Sequence, residues 1–149
     1  MKRKAKFGTV MSGTFNAPNL IHAFADELRS LRGALPFDIY TAVKTFDNAA
    51  GTDRVHGDDY QYLFGDLVDA LNEYAPLYGY FGTHSGNGAD YGFWLYSDWE
   101  DMFDGLKVAD TGEVPKGYIG EVMQVSVHGN LTLYASNKRG KLKEIWSLV

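Results

Sequence analysis

The sequence predicts an α+β fold in which two main helices pack on a mainly antiparallel sheet, as a single two-layer domain over residues 1–149. Three observations predict it. Two segments, about 17–32 and 58–75, carry apolar residues at helical spacing. The last third of the chain alternates apolar and polar residues between turn sequences, which is typical of a three-stranded meander. Helical and strand patterns are segregated rather than alternating, which favours α+β over parallel α/β folds.

The first third of the chain predicts a strand followed by a helix. Residues 7–15 are rich in Gly and Thr and are interpreted as the strand. Asn16 is expected to cap the helix at 17–32, because its side chain accepts a free backbone N–H, and Gly33 is expected to end it. Residues 34–54 fit either a helix or a strand, and the sequence does not decide between them.

Asp58 is expected to cap the second helix, with Asp59 favourable in its first turn, and Pro76 is expected to end it. Its buried stripe is expected to consist of Leu63, Phe64, Leu67, Val68, Leu71 and Ala75. Its opposite side holds Tyr62, Asp66, Asp69 and Glu73.

Strands and a short helix follow. Aromatic residues at 78–83 and 91–96 predict two strands joined by a Gly-rich hairpin loop at 84–90. Ser97 is expected to cap a short helix at 98–103.

A loop over residues 107–120 then leads into the meander. Its strands are centred on the alternating residues 123–127, on 131–135 and on 141–149. The alternation predicts one buried face.

Charge is distributed unevenly along the chain. The net charge is −5, yet residues 1–54 carry a net charge of +3 and residues 107–149 one of +2. Residues 55–106, here called the acidic segment, hold ten carboxylates, no Lys or Arg, and 13 of the 22 aromatic residues. Because this segment cannot neutralise itself, its carboxylates must face water, meet the basic ends of the chain, bind a metal or meet a cationic partner.

We predict a binding surface within the acidic segment, and no catalytic or metal-binding residue. Tyr and Trp are typical interface residues, and an acidic surface complements a basic partner. A solvated face without a partner explains the same charges equally well. The residues predicted to form the binding surface are Tyr62, Asp66, Asp69, Glu73, His84, Asp90, Asp98, Glu100 and Asp101.

Two alternatives stay open. A small nucleotide-like ligand would stack on Tyr80, Phe93 and Trp94, with the loop 84–90 as the rim. A metal-assisted hydrolase would use His56, Asp58, His84 and Asp90. Turn geometry and helix capping explain the same polar residues without a metal or a ligand. His22 is likewise interpreted as a structural residue, which pairs with Asp26 on the surface of the first helix.

Several classes of protein lack their sequence signatures. The absence of Cys excludes disulfides, thiolate zinc sites and cysteine nucleophiles. No phosphate-binding loop and no nucleophile elbow is present, so we predict neither an enzyme nor a cofactor. The basic clusters at 2–6 and 138–143 are interpreted as solubilising charges, which disfavours nucleic-acid binding. Neither a membrane span nor a secretory signal is found, so we expect an intracellular protein.

Four stretches carry a resemblance to a known group of proteins. They are residues 19–24 (NLIHAF), 78–84 (YGYFGTH), 88–94 (GADYGFW) and 127–134 (VHGNLTLY). Together they resemble small accessory proteins of bacteriophages and related mobile elements. The resemblance transfers no site residue. It implies a protein that acts in the cytoplasm of a bacterial host, where it inhibits a host or defence protein.

Overall fold

The computed structural model describes residues 4–14, 16–49 and 57–149, with side chains of the third helix described from Tyr60 onward. The fold is α+β, as predicted. The chain divides into two compact units, Met1–Ser97 and Asp98–Val149, each of which has its own sheet. The single sheet of the sequence-based prediction is therefore wrong, whereas the single domain stays a prediction.

Three helices, rather than the two predicted main helices, belong to the first unit. They are α1 (Ala17–Arg32), α2 (Phe37–Ala49) and α3 (Gly57–Asn72). The bounds of α1 are those predicted: the Asn16 side chain accepts the Asn19 N–H at 3.2 Å, and Gly33 follows with a φ of 97°. The ambiguous segment is helical as far as Ala49, because Ile39, Val43 and Phe46 bury one face at helical spacing.

The end of α3 differs from the prediction. Asn72, not the residue before Pro76, is the last helical residue, and Asp58 lies inside the helix. The Asn72 amide donates to the carbonyls of Val68 (3.0 Å) and Phe81 (3.2 Å), and its oxygen accepts the Phe81 N–H at 2.9 Å. The side chain thus ties the end of the helix to the edge of a strand, and the chain turns there.

An antiparallel sheet completes the first unit. Its strands are β1 (Gly8–Ser12), β2 (Gly79–His84) and β3 (Asn87–Leu95), in the order β1-β3-β2. Only Ser85 and Gly86 separate β2 from β3. The predicted loop at 84–90 is therefore wrong, because Asn87–Asp90 extend β3, and Asp90 pairs there with Ser12 of β1.

Phe24 of α1 occupies the centre of the first unit's core and is fully buried. Its ring lies 5.0 Å from that of Phe81, 5.2 Å from that of Tyr91 and 5.4 Å from that of Phe64. The helices and one face of the sheet therefore meet around an aromatic cluster, whose rings adopt tilted or edge-to-face geometries.

The second unit contains a short helix and a four-stranded sheet. The elements are α4 (Trp99–Met102), β4 (Leu106–Val108), β5 (Gly120–Val125), β6 (Leu131–Ser136) and β7 (Leu142–Leu148). The strand order is β4-β5-β6-β7, and β5, β6 and β7 form the predicted antiparallel meander. The predicted loop at 107–120 instead contains most of β4, which pairs parallel to β5, and a 3₁₀ turn at Thr111–Glu113.

The meander does not have the single buried face that its alternation predicts. Val122 and Met123 are consecutive in β5, so their side chains point to opposite faces, and both are fully buried. In the part of the chain that the structure describes, no helix combines the length and apolarity needed to cross a bilayer.

Candidate protein-binding surface

One side of α3 and the turn after it present Tyr62, Asp66, Asp69 and Glu73, which together are called the α3 acidic face. All four residues are exposed, and Tyr62 is 76% exposed. The opposite stripe, with Leu63, Leu67 and Leu71, is buried. The helical period thus buries the apolar stripe and turns the acidic one outward. The structure brings these four predicted residues together.

The carboxylates of Asp66 and Asp69 have no ion-pair partner among the described residues. Glu73 does not lie on the helix itself but in the turn that follows, where its N–H bonds to the carbonyl of Ala70. The Lys4 ammonium group reaches this end of the face and donates to the Glu73 backbone carbonyl at 3.2 Å. Lys4 therefore approaches the end of the face, not its centre.

His84 and Asp90, predicted to flank a loop, lie at separate places in the hairpin. The His84 Nδ1 atom accepts the Gly86 N–H at 2.9 Å, which places any proton of the neutral ring on Nε2. The His84 ring also meets the Trp94 ring edge-on at 4.7 Å. Asp90 is half-buried in β3, and its Oδ1 atom is buried without a hydrogen-bond partner in the described ranges. No hydrogen bond between the two side chains is found there.

The aromatic residues proposed to hold a small ligand divide between two faces of the first sheet. Tyr80 and Trp94 are cross-strand partners and share one face, whereas Phe93 pairs with Phe81 on the other face, inside the core. The alternation of the strand therefore removes Phe93 from any ligand site. The Trp94 ring N–H donates to the Gly82 carbonyl (3.0 Å), and the Tyr80 hydroxyl donates to that of Thr83 (2.8 Å).

On this face of the sheet, the phenol of Tyr80 has a raised pKa. Burial, and to a lesser extent the neighbouring Tyr96, raises the pKa of the Tyr80 phenol above its ordinary value of 10.0. The two rings lie 4.9 Å apart. This phenol therefore stays protonated through the physiological range and acts as a hydrogen-bond donor, not as an acid–base group.

Asp98, Glu100 and Asp101, the remaining predicted binding residues, belong to the second unit. Asp98, not the predicted Ser97, is the cap residue of α4, and its side chain makes no capping hydrogen bond. Glu100 forms an ion pair with Lys107, whose ammonium lies 2.9 Å from the carboxylate. Asp101 is exposed. The acidic segment is thus divided between two units.

The metal-assisted hydrolase was predicted to use four residues, of which the structure describes the side chains of two, His84 and Asp90. His56 and the side chain of Asp58 lie outside the described residues. Within those residues, no group of three or more His, Cys, Asp or Glu side chains could hold a metal ion. The predicted pair of His22 with Asp26 is wrong, because His22 Nε2 contacts Asp47 of α2 at 2.8 Å while Asp26 pairs with Arg29.

One feature of the second unit was missed by the sequence reasoning. Lys116, Lys138 and Arg139 line a recess of about 400 Å³. The two basic sites are separated by more than 20 residues of sequence, so their juxtaposition depends on the sheet. The sequence did show that each group of basic residues lies beside a glycine in a turn, at Lys116-Gly117 and at residues 137–140. It did not show that the two turns are close together.

Comparison of the chain with protein-family models, with curated proteins and with solved structures finds no match.

Proposed function

We propose that the protein is a non-enzymatic binding protein, and that the α3 acidic face covers a basic surface of another protein. The observation that supports this most directly is the 76% exposure of Tyr62 beside Asp66 and Asp69, which lack ion-pair partners among the described residues. Tyrosine is enriched at interfaces, where its ring can be buried, and the unpaired charges beside it can select a partner of opposite charge.

The geometry fits a contact along a helix. From Tyr62 to Asp69 the helix rises about 10 Å at 1.5 Å per residue, and the side chains of the α3 acidic face all point away from the core. A partner surface with two lysines or arginines at the spacing of Asp66 and Asp69 would meet each carboxylate with one cation. The buried stripe beneath holds α3 in place, so little ordering is needed on binding.

The resemblance to bacteriophage accessory proteins suggests the identity of the partner. It favours a host or defence protein in the bacterial cytoplasm, inhibited because its basic surface is covered. A basic surface that normally contacts nucleic acid is the natural target for an acidic helix face.

The proposal is tested by capture from nuclease-treated bacterial lysate. Asp66→Lys/Asp69→Lys changes the net charge by +4, and so does the control Asp38→Lys/Glu144→Lys at exposed positions elsewhere. We expect the partner to be retained by wild type and control and lost by the α3 variant. It should also be released in about 1 M salt, where the Debye length falls to about 3 Å.

Tyr62→Ala supplies a readout that does not depend on charge. We expect it to weaken binding roughly 30-fold, the effect of losing an aromatic residue worth about 2 kcal/mol at an interface. The proposal would be refuted if wild type, both double variants and Tyr62→Ala all captured the same proteins.

A further inference from the structure

The recess in the second unit is lined by apolar walls and cations. Its volume is about 400 Å³, within the range of about 300–1,000 Å³ typical of small-molecule sites. The walls include Val114, Tyr118 and Leu142, and Lys116, Lys138 and Arg139 also line it. The recess lies between the loop after β4 and the turn that joins β6 to β7.

The charge of the lining is entirely positive. No carboxylate lines the recess, and among the described residues neither Lys116, Lys138 nor Arg139 has an ion-pair partner. The acidic side chains of the adjoining 3₁₀ turn are engaged elsewhere: Asp110 accepts the Gly112 N–H at 2.7 Å, and Glu113 accepts the Ala109 N–H at 3.0 Å. Three cations without an ion-pair partner among the described residues thus line one recess, in a chain whose net charge is −5.

The cations are carried by ordered turns. Asn137 Oδ1 accepts the N–H groups of Arg139 (2.9 Å) and Lys141 (3.1 Å), which closes the β6–β7 turn. Gly140 has a φ of 73°, a conformation that a residue with a side chain rarely adopts. The backbone that carries Lys138 and Arg139 is therefore held in place before any ligand arrives.

Two neutral polar groups at the recess, the hydroxyls of Tyr118 and Ser136, are already hydrogen-bonded. The Tyr118 hydroxyl donates to the Glu121 carbonyl at 3.0 Å, and the buried Ser136 hydroxyl donates to the Tyr118 carbonyl at 2.7 Å. These two bonds fix the Tyr118 ring as a wall. What the recess offers to a ligand is consequently a ring, aliphatic surface and cationic donors, with apolar and cationic side chains on both walls.

We propose that this recess binds a small organic phosphate with a flat apolar body, of the nucleoside-phosphate class. The planar fork of Arg139 and the two lysines complement a phosphate that carries more than one negative charge. The Tyr118 ring and its aliphatic neighbours complement the base. A long polyanion is disfavoured, because the net negative charge of the chain repels it. The site is independent of the α3 acidic face.

Calorimetric titration of the full chain with ATP, ADP, AMP, adenosine and inorganic phosphate tests the proposal. We expect saturable binding with one site per chain, in which ATP or ADP binds more tightly than either adenosine or inorganic phosphate. Lys138→Glu/Arg139→Glu should lose at least about tenfold in affinity. Lys116→Glu, from the other wall, should lose affinity as well.

The matched control is Lys141→Glu/Lys143→Glu, which makes the same charge change on the same hairpin at exposed residues that do not line the recess. We expect it to lose clearly less affinity than Lys138→Glu/Arg139→Glu, because exposed charges that do not line the recess act on the ligand only through water and salt. The proposal would be overturned if no nucleotide bound saturably, or if both double variants lost affinity equally. It would also be overturned if a ten-nucleotide single strand bound more tightly than ATP and ADP. Asp66→Lys/Asp69→Lys should leave nucleotide binding unchanged, so failure here is distinguishable from failure of the proposed function.

Discussion

Gly92 of β3 lies close against the backbone of β1, and replacing it with alanine should destabilise the first unit. A Cβ atom built at Gly92 would clash with the Gly8 carbonyl oxygen and would lie 2.9 Å from the Thr9 Cα atom. Both neighbours are backbone atoms, so no side-chain rotation relieves the contact. β1 must move away from β3, which strains the ladder that joins them.

The expected magnitude follows from the kind of clash. Overpacking of a well-packed interior costs about 1–3 kcal/mol, and at a unit of this size each kcal/mol lowers the unfolding midpoint by about 4–8 °C. Gly92→Ala should therefore lower the midpoint by about 5–20 °C. The matched control is Gly88→Ala in the same strand, where a Cβ atom meets nothing within 4 Å. It should change stability by less than about 1 kcal/mol.

Differential scanning calorimetry and circular dichroism of the two variants and wild type provide the assay. Equal unfolding midpoints for Gly92→Ala and Gly88→Ala would refute the close approach of β1 to β3.

Three further predictions concern stability. Asn72→Ala leaves the Phe81 N–H and carbonyl unpaired at the strand edge and should lower the free energy of unfolding in urea by about 1–3 kcal/mol; a loss below about 0.5 kcal/mol would contradict this. Phe24→Ala opens a cavity among the core rings and should cost about 3–5 kcal/mol by the same measurement, and a cost below about 1 kcal/mol would show that this ring is not central. The folded-state pKa of Tyr80 is raised, so its contribution to stability is fully present below pH 10 and is lost as the pH rises through the folded-state pKa. Tyr80→Phe should accordingly lessen the alkaline loss of stability, and identical curves for the two proteins above pH 10 would count against the shift.

Local sequence signals predicted the parts of the fold that depend on neighbouring residues. Asn16 and Gly33 bound α1 because a cap and a left-handed glycine act within one turn of the helix. The meander followed from period-two alternation. The separate second sheet and the parallel pair of β4 with β5 could not be predicted, because β4 is three residues long and its pairing joins distant segments.

The same distinction holds for the candidate site. The α3 acidic face could be predicted, since helical periodicity alone places its residues on one side. Asp98, Glu100 and Asp101 were assigned to the same surface only because they are near in sequence, and they fall in the other unit. Phe93 was assigned to the same ligand site as Trp94, although consecutive residues of a strand point to opposite faces of the sheet. That error could have been avoided from the sequence, because the two residues are adjacent in a predicted strand.

The end of α3 shows how a tertiary contact overrides a local stop signal. Pro76 was the natural end of the helix by sequence, because proline lacks the N–H that a helix interior needs. The last helical residue is instead Asn72, three residues before the predicted end at residue 75, where the Asn72 amide pairs with the edge of β2. No local pattern encodes that partner, which lies nine residues further along the chain.

Zero-length carbodiimide cross-linking of the captured complex, followed by peptide mass spectrometry, tests the central claim most directly, because it joins carboxylates to lysines in contact. The proposed function predicts cross-links from Asp66 or Asp69 to lysines of the partner, absent after Asp66→Asn/Asp69→Asn. Cross-links that map only to carboxylates outside the α3 acidic face would contradict it.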